Sequence, residues 1–299
     1  MHTIGSAALS NDASLVPDAF ERRARRPDEK PMDILCGGVR HSGHGLRLCA
    51  HVLAYALAPL IALSVTAAFA TSPSMETSVM HTDASTSDTL SARQQAIPPI
   101  TAAAAVGDLS ALETALNAGL DAGLSVSDVR EILVQLYAYA GFPRSLNALG
   151  TLMEVIEARQ ARGIEDAPGQ DPSRAVVTGD ALLAAGTANQ TRISGAPVSG
   201  PLFGFAPVIN RFLQTHLFGD IFERDNLDWQ SRELATVGAL AALPGVESQL
   251  RSHMAASLRV GLTAAQLREV VEVLAAHSSA DAAARARDAL ARTLAAQQD

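Results

Sequence analysis

The stretch Gly123-Leu124-Ser125-Val126-Ser127-Asp128-Val129-Arg130-Glu131-Ile132-Leu133 returns 138 residues later as Gly261-Leu262-Thr263-Ala264-Ala265-Gln266-Leu267-Arg268-Glu269-Val270-Val271. Each copy opens on a glycine, the residue that commonly ends a helix. A Ser or Thr two positions on is placed to cap the next helix, and Asp128 completes a near capping box with Ser125. At the same offset Leu112, Leu120 and Leu136 fall on Leu250, Leu258 and Leu274. Coincident helix stops, caps and apolar positions predict an all-α fold of two tandem helical repeats.

Working outward, the spacing predicts helices over residues 108–122, 125–140 and 145–161 in a first repeat spanning 100–161. Residues 162–206, rich in Gly, Pro and Asp, read as a connector with one short helix near 180–187. A second repeat, 207–299, carries helices near 207–217, 229–243, 246–260, from Thr263 onward, and 280–297. Composition agrees: 48% of residues are hydrophobic but only 4% aromatic. Such an Ala/Leu-rich chain favours helices, because these side chains lose little on entering one. The formal net charge of −8 gives no sign of the basic face that nucleic-acid binding needs, so no nucleic-acid partner is expected.

The N-terminal part differs. Residues 52–70 form an uncharged apolar run behind Arg40 and Arg47, ending in Ala68-Phe69-Ala70. A basic flank, an apolar run and a small-x-small site are the three parts of a secretory signal. Residues 1–70 are therefore read as leader and signal peptide, placing the protein in the periplasm or outside the cell. An uncleaved anchor over 52–70 is the alternative that would bring a membrane contact. A third reading is a buried core helix, against which the lack of a polar face speaks. Met32 offers a shorter start. Residues 71–99, rich in Ser, Thr, Asp and Pro, read as a flexible leader. Both cysteines, Cys36 and Cys49, precede the cleavage site, so the helical part has no thiol.

Several blocks share an order with a known family. They are Phe218-Gly219-Asp220-Ile221-Phe222, Leu227-Asp228-Trp229-Gln230-Ser231-Arg232-Glu233-Leu234-Ala235-Thr236, Leu240-Ala241-Ala242-Leu243-Pro244-Gly245 and Leu250-Arg251-Ser252-His253, with Tyr137-Ala138-Tyr139-Ala140-Gly141-Phe142-Pro143 and Asn147-Ala148 in the first repeat. On these residues the chain resembles the carboxymuconolactone decarboxylase family over about 100–160 and 200–295. The resemblance implies an all-helical fold and homo-oligomeric rings, here with a pseudo-dimeric chain. One branch of the family carries Cys-x-x-Cys followed by His. Those cysteines would fall near Val246 and Gln249, so the thiol peroxidase partner activity is not expected. The other branch decarboxylates a small carboxylated lactone without cysteine, cofactor or metal.

Four residues are expected at the site. His253, where the family places a histidine, and Glu233, early in its helix, are the catalytic candidates; either can carry a proton if burial sets its pKa. Arg232 and Arg251 are the candidates for clamping a substrate carboxylate. The residue aligned with His253 in the first repeat is Ala115, so only the second repeat is equipped. Tyr139, His277, Trp229 and His216 read first as packing residues. The expected reaction is loss of carbon dioxide from a small organic acid, with the resulting enolate protonated by His253 or Glu233. A related isomerase or lyase activity, or a non-catalytic ligand-binding or assembly role on the same fold, is the alternative.

Overall fold

Ser91 starts the first helix. Its side chain accepts from the Gln94 backbone, and the Gln94 side chain accepts from the Ser91 N–H. The computed structural model describes residues 88–298; the signal peptide, anchor and leader readings of residues 1–87 lie outside them. Helix α1 (Ala92–Val106) runs on to Gly107 and contains Pro98 and Pro99. This corrects the flexible leader expected through residue 99, whose last eight positions are helical. Internal prolines normally cost a helix about 3 kcal/mol. Here tertiary burial outweighs that cost, since Ile97 to Ala105 are all buried.

What α1 meets is α8 (Trp229–Ala242), a helix buried without a break from Ser231 to Ala242. These two pack together more extensively than any other pair of elements. Gly238 allows the approach: a Cβ there would lie 2.4 Å from Thr101 Oγ1 and 2.5 Å from the Pro98 carbonyl oxygen. Alanine-rich faces and a glycine let two backbones meet closely, which is why the segment tolerates so few large side chains.

Around α1 stand α2 (Leu109–Asp121), α3 (Val126–Ala140) and α4 (Phe142–Ala161). Around α8 stand α9 (Glu247–Arg259), α10 (Ala264–His277) and α11 (Ala280–Ala295). The capping box expected of Ser125 with Asp128 forms, and the Thr263 cap expected from sequence proves to be a capping box too, with Gln266. In addition α3 crosses to touch α8, and α10 crosses to touch α1. One continuous core results, from Leu112, Leu116, Ile132 and Leu133 to Leu250, Met254, Leu267 and Leu274.

Residues 162–206 do more than connect. The first part pairs with the start of α3, where Val126 N–H donates to the Ala167 carbonyl (2.9 Å) and Ser127 N–H to that of Pro168 (3.0 Å). Buried Arg159 anchors it by a two-pronged bond to Asp166. Helix α5 (Gly179–Ser194) is longer than expected. It is followed by α6 (Pro201–Phe205), α7 (Pro207–Phe212) and a π-helical segment, Leu213–Ile221, where a single α-helix was expected. Gly186 explains the widened turn: its absent side chain admits the Gln214 carbonyl, which a Cβ would meet at 1.7 Å. Asn189 then donates to the Phe218 carbonyl at 2.9 Å. A second, smaller core of Ile193, Leu217, Phe218, Ile221, Phe222 and Ala256 holds this layer against α9. Among the described residues there is no strand, and no helix is long and apolar enough to cross a membrane.

Candidate active site

Asp228 caps α8 through the Ser231 N–H (2.8 Å), so Arg232 and Glu233 fall in its first turn and a half. Neighbours on a helix point about 100° apart, and these two part company. Glu233 turns toward α9, where its Oε2 lies 2.8 Å from His253 Nδ1. The carboxylate is wholly buried and the imidazole nearly so, at 0% and 14% side-chain exposure. The small exposed part of His253 borders an open cleft of about 470 Å³. The Nδ1 contact fixes the ring and, among the described residues, leaves Nε2 without a partner. Ser257 braces the same turn by donating to the His253 carbonyl at 2.8 Å.

Tyr139, at the end of α3, completes the surroundings. Its ring meets His253 edge-on at 5.4 Å and 83°. Its hydroxyl and Glu233 Oε1 are both buried, without a hydrogen-bond partner among the described residues. Burial and the nearby Glu233 raise the phenol's pKa well above its ordinary value, so it stays protonated. Tyr139 was read as a packing residue. Its place beside His253 depends on α3 crossing to the other set of helices, which no local pattern announces.

Arg232 turns the other way, and this corrects its assignment as a substrate clamp. Its side chain is fully buried. Nη2 donates to Glu131 Oε1 (3.0 Å) and the Arg224 carbonyl (2.8 Å), and Nη1 to Gln135 Oε1 (3.1 Å). Glu131 also takes a bidentate bond from Arg224 and one from Asn226. Burial pulls the Glu131 pKa up, but the Arg224 and Arg232 contacts outweigh it and hold the carboxyl below its usual range. The guanidinium is thus consumed in joining α8 to α3. Of the Arg130-Glu131 pair that recurs as Arg268-Glu269, only the glutamate enters this junction, while Arg130 bonds Asp171. In the other copy Glu269 accepts from Leu90 N–H (2.7 Å) and Gln95 Nε2 (2.8 Å).

Arg251 is exposed and lies outside the His253 cleft, in an adjoining groove between α9 and α11. The cation that does line the cleft is Arg259, which sequence reading missed. It donates to the Ile193 carbonyl at 3.2 Å. Gly195 makes room for it, since a Cβ there would sit 2.6 Å from its Nε. Ser194, Pro197 and Ser199, from the supposed connector, form the facing wall. His277 is exposed at the end of α10. Trp229 packs edge-on against Phe222, with Arg192 over its face at 4.4 Å. His216 pairs with Asp220 at 2.6 Å on the π-helical segment, half exposed.

Among the described residues, an all-helical scaffold holds a buried carboxylate–histidine pair that opens on a cleft. The model of the carboxymuconolactone decarboxylase family matches residues 207–292, so this part of the chain is similar to that family. The matched stretch runs from the start of α7 into α11 and contains Glu233, His253, Arg251 and Arg259. No curated protein matches the chain.

Proposed function

We propose that the chain is a cofactor-free proton-transfer enzyme, a decarboxylase or related lyase or isomerase, acting on a small carboxylated lactone or organic acid. The observation that carries this reading is the 2.8 Å pair of His253 and Glu233, closed on the Nδ1 side and open to the cleft on the other. A carboxylate behind an imidazole fixes its orientation and stabilises the imidazolium, so that Nε2 can give or take a proton. Arg259 supplies positive charge for a substrate carboxylate. In a decarboxylation the bond to the leaving carboxylate breaks, carbon dioxide departs with the bonding pair left on carbon, and His253 delivers the proton that quenches the enolate. The absence of cysteine at Val246 and Gln249 speaks against thiol peroxidase chemistry.

Incubating purified protein with carboxymuconolactone and a panel of small carboxylated lactones, with carbon dioxide release as readout, tests the reading. A substrate turned over by the wild type and slowed at least about 100-fold by His253→Ala is the expected result. Undiminished turnover by His253→Ala would sink it.

The reading extends to architecture. A duplicated four-helix unit is supported by helix bounds: Leu109 and Glu247, Val126 and Ala264, and Phe142 and Ala280 each begin helices 138 residues apart. Ala115 and Gln95 stand where the second copy has His253 and Glu233, leaving one equipped site per chain. Homo-oligomer formation is supported by two exposed apolar faces, Phe142, Leu146 and Met153 on α4, and Leu202, Phe205, Val208 and Phe212 on α6 and α7. Export rests on residues 40–70 of the sequence. N-terminal sequencing of the protein from cells should find Thr71 first; a chain beginning upstream of residue 52 would favour the anchor.

A further inference from the structure

The groove beside the His253 cleft sets two cations that the mechanism does not use, Arg251 and Arg292, next to one that it does, Arg259. It measures about 290 Å³ and is lined by Arg251 and Arg259 of α9 and Arg292 of α11, with Ser248, Ser252 and Thr293. No carboxylate lines it. Among the described residues neither Arg251 nor Arg259 has an ion-pair partner, and only Arg292 is shared, with Asp288 at 2.9 Å. Three guanidinium groups thus line one groove of an acidic protein, and an anion held among them would offset their like charge.

The groove is continuous with the cleft. Ser252, Ala255 and Arg259 line both. At i, i+3 and i+7 they form one stripe of α9, with His253 on one flank and Arg251 on the other. The walls of the groove are fixed rather than loose. Thr293 Oγ1 donates to the Arg251 carbonyl (3.3 Å) and the Ala289 carbonyl (2.8 Å), tying α11 to α9.

We propose that this groove is an anion-binding subsite that holds a second charged group of the ligand, with Arg251 and Arg292 as its clamp and Arg259 shared between the two ends. The ligand is then a compound with two anionic groups: one near the reacting carbon at His253, and the other, a carboxylate or a phosphate, a few bonds away. This rests on the reading of the His253 cleft as the ligand site. It restores a binding role to Arg251, at a different place from the one its sequence position suggested.

Calorimetric titration of the full chain with propionate, glutarate, tricarballylate and inorganic phosphate tests it. Wild-type protein should bind glutarate or tricarballylate at least about tenfold more tightly than propionate, because charge-assisted bonds are the strong ones. An Arg251→Gln/Arg292→Gln variant should lose that advantage and keep propionate binding. Phosphate binding that the same variant loses would identify a phosphate as an acceptable second group. Equal affinity of variant and wild type for every multiply charged probe overturns the subsite. His253→Ala separates the two readings: it should retain the tight binding of the groove probe while losing turnover. Full turnover by that variant would defeat the enzyme reading and leave the subsite standing.

Discussion

Arg232 and Glu233 are consecutive in sequence, equally buried, and given over to different tasks. One completes an interhelical ion pair and the other orients a histidine. The ion pair predicts a pH dependence. Glu131 has a lower pKa in the folded protein than its unfolded value of about 4.5. Its stabilising contribution is therefore complete above that value and is lost as pH falls through the lower folded pKa. Glu131→Gln should remove this acid-side loss from a stability–pH curve. It should also destabilise the protein at neutral pH by about 3–5 kcal/mol, because Arg232 would remain buried and charged without its carboxylate partner, keeping only neutral acceptors. Urea unfolding at pH 7 and pH 4 checks both; a neutral substitution at pH 7 would show that Arg232 finds compensation elsewhere. Glu233→Gln belongs to the other task. It should reduce turnover by about 100-fold with little change in KM, since it acts on the imidazole rather than on the substrate.

At the scale of elements, the helix pair α1–α8 decides the architecture. Its contact is set by backbone approach at Gly238, so a side chain there has nowhere to go. Gly238→Ala should cost about 1–3 kcal/mol, although alanine is the better helix former. Thermal unfolding measures it, and an unchanged or raised Tm would show that α1 can shift. The π-helical segment has a comparable cause in Gly186, and it sets Phe218 at the edge of the cleft. Part of the segment read from sequence as a connector thus forms one wall of the candidate site, through Ser194, Pro197 and Ser199.

For the whole molecule, the exposed apolar residues are unevenly placed. Phe205 is 88% exposed, and Leu202, Val208 and Phe212 accompany it on the same short helices. Clustered apolar exposure of this kind is what an association surface requires, and it motivates the oligomer proposed above. Sedimentation equilibrium should find an oligomer, and Phe205→Asp with Phe212→Asp should shift it toward monomer without loss of helicity. A wild-type protein that stays monomeric at micromolar concentration would show that the face serves something else.

The sequence by itself determined the helices. Their caps, glycine stops and 3.6-residue apolar period are local, so Ser125, Thr263, Gly123 and Gly261 could be read directly, and the bounds of α2 to α4 and α8 to α11 followed to within a few residues, whereas those of α5 and of the π-helical segment did not. It also determined that Glu233 and His253 were worth joining, through a family likeness over residues the structure brings together. It misplaced the start of α1, because Pro98 and Pro99 argue locally for a loop while a buried partner helix can outweigh them. Which way each charged side chain turned was decided only by the tertiary structure. Arg232 meets Glu131 from 101 positions away, Tyr139 reaches His253 across two sets of helices, and Arg259 enters the cleft because Gly195 leaves space. Those outcomes depend on which elements pack together, and packing partners distant along the chain leave no periodic trace in either partner's own sequence.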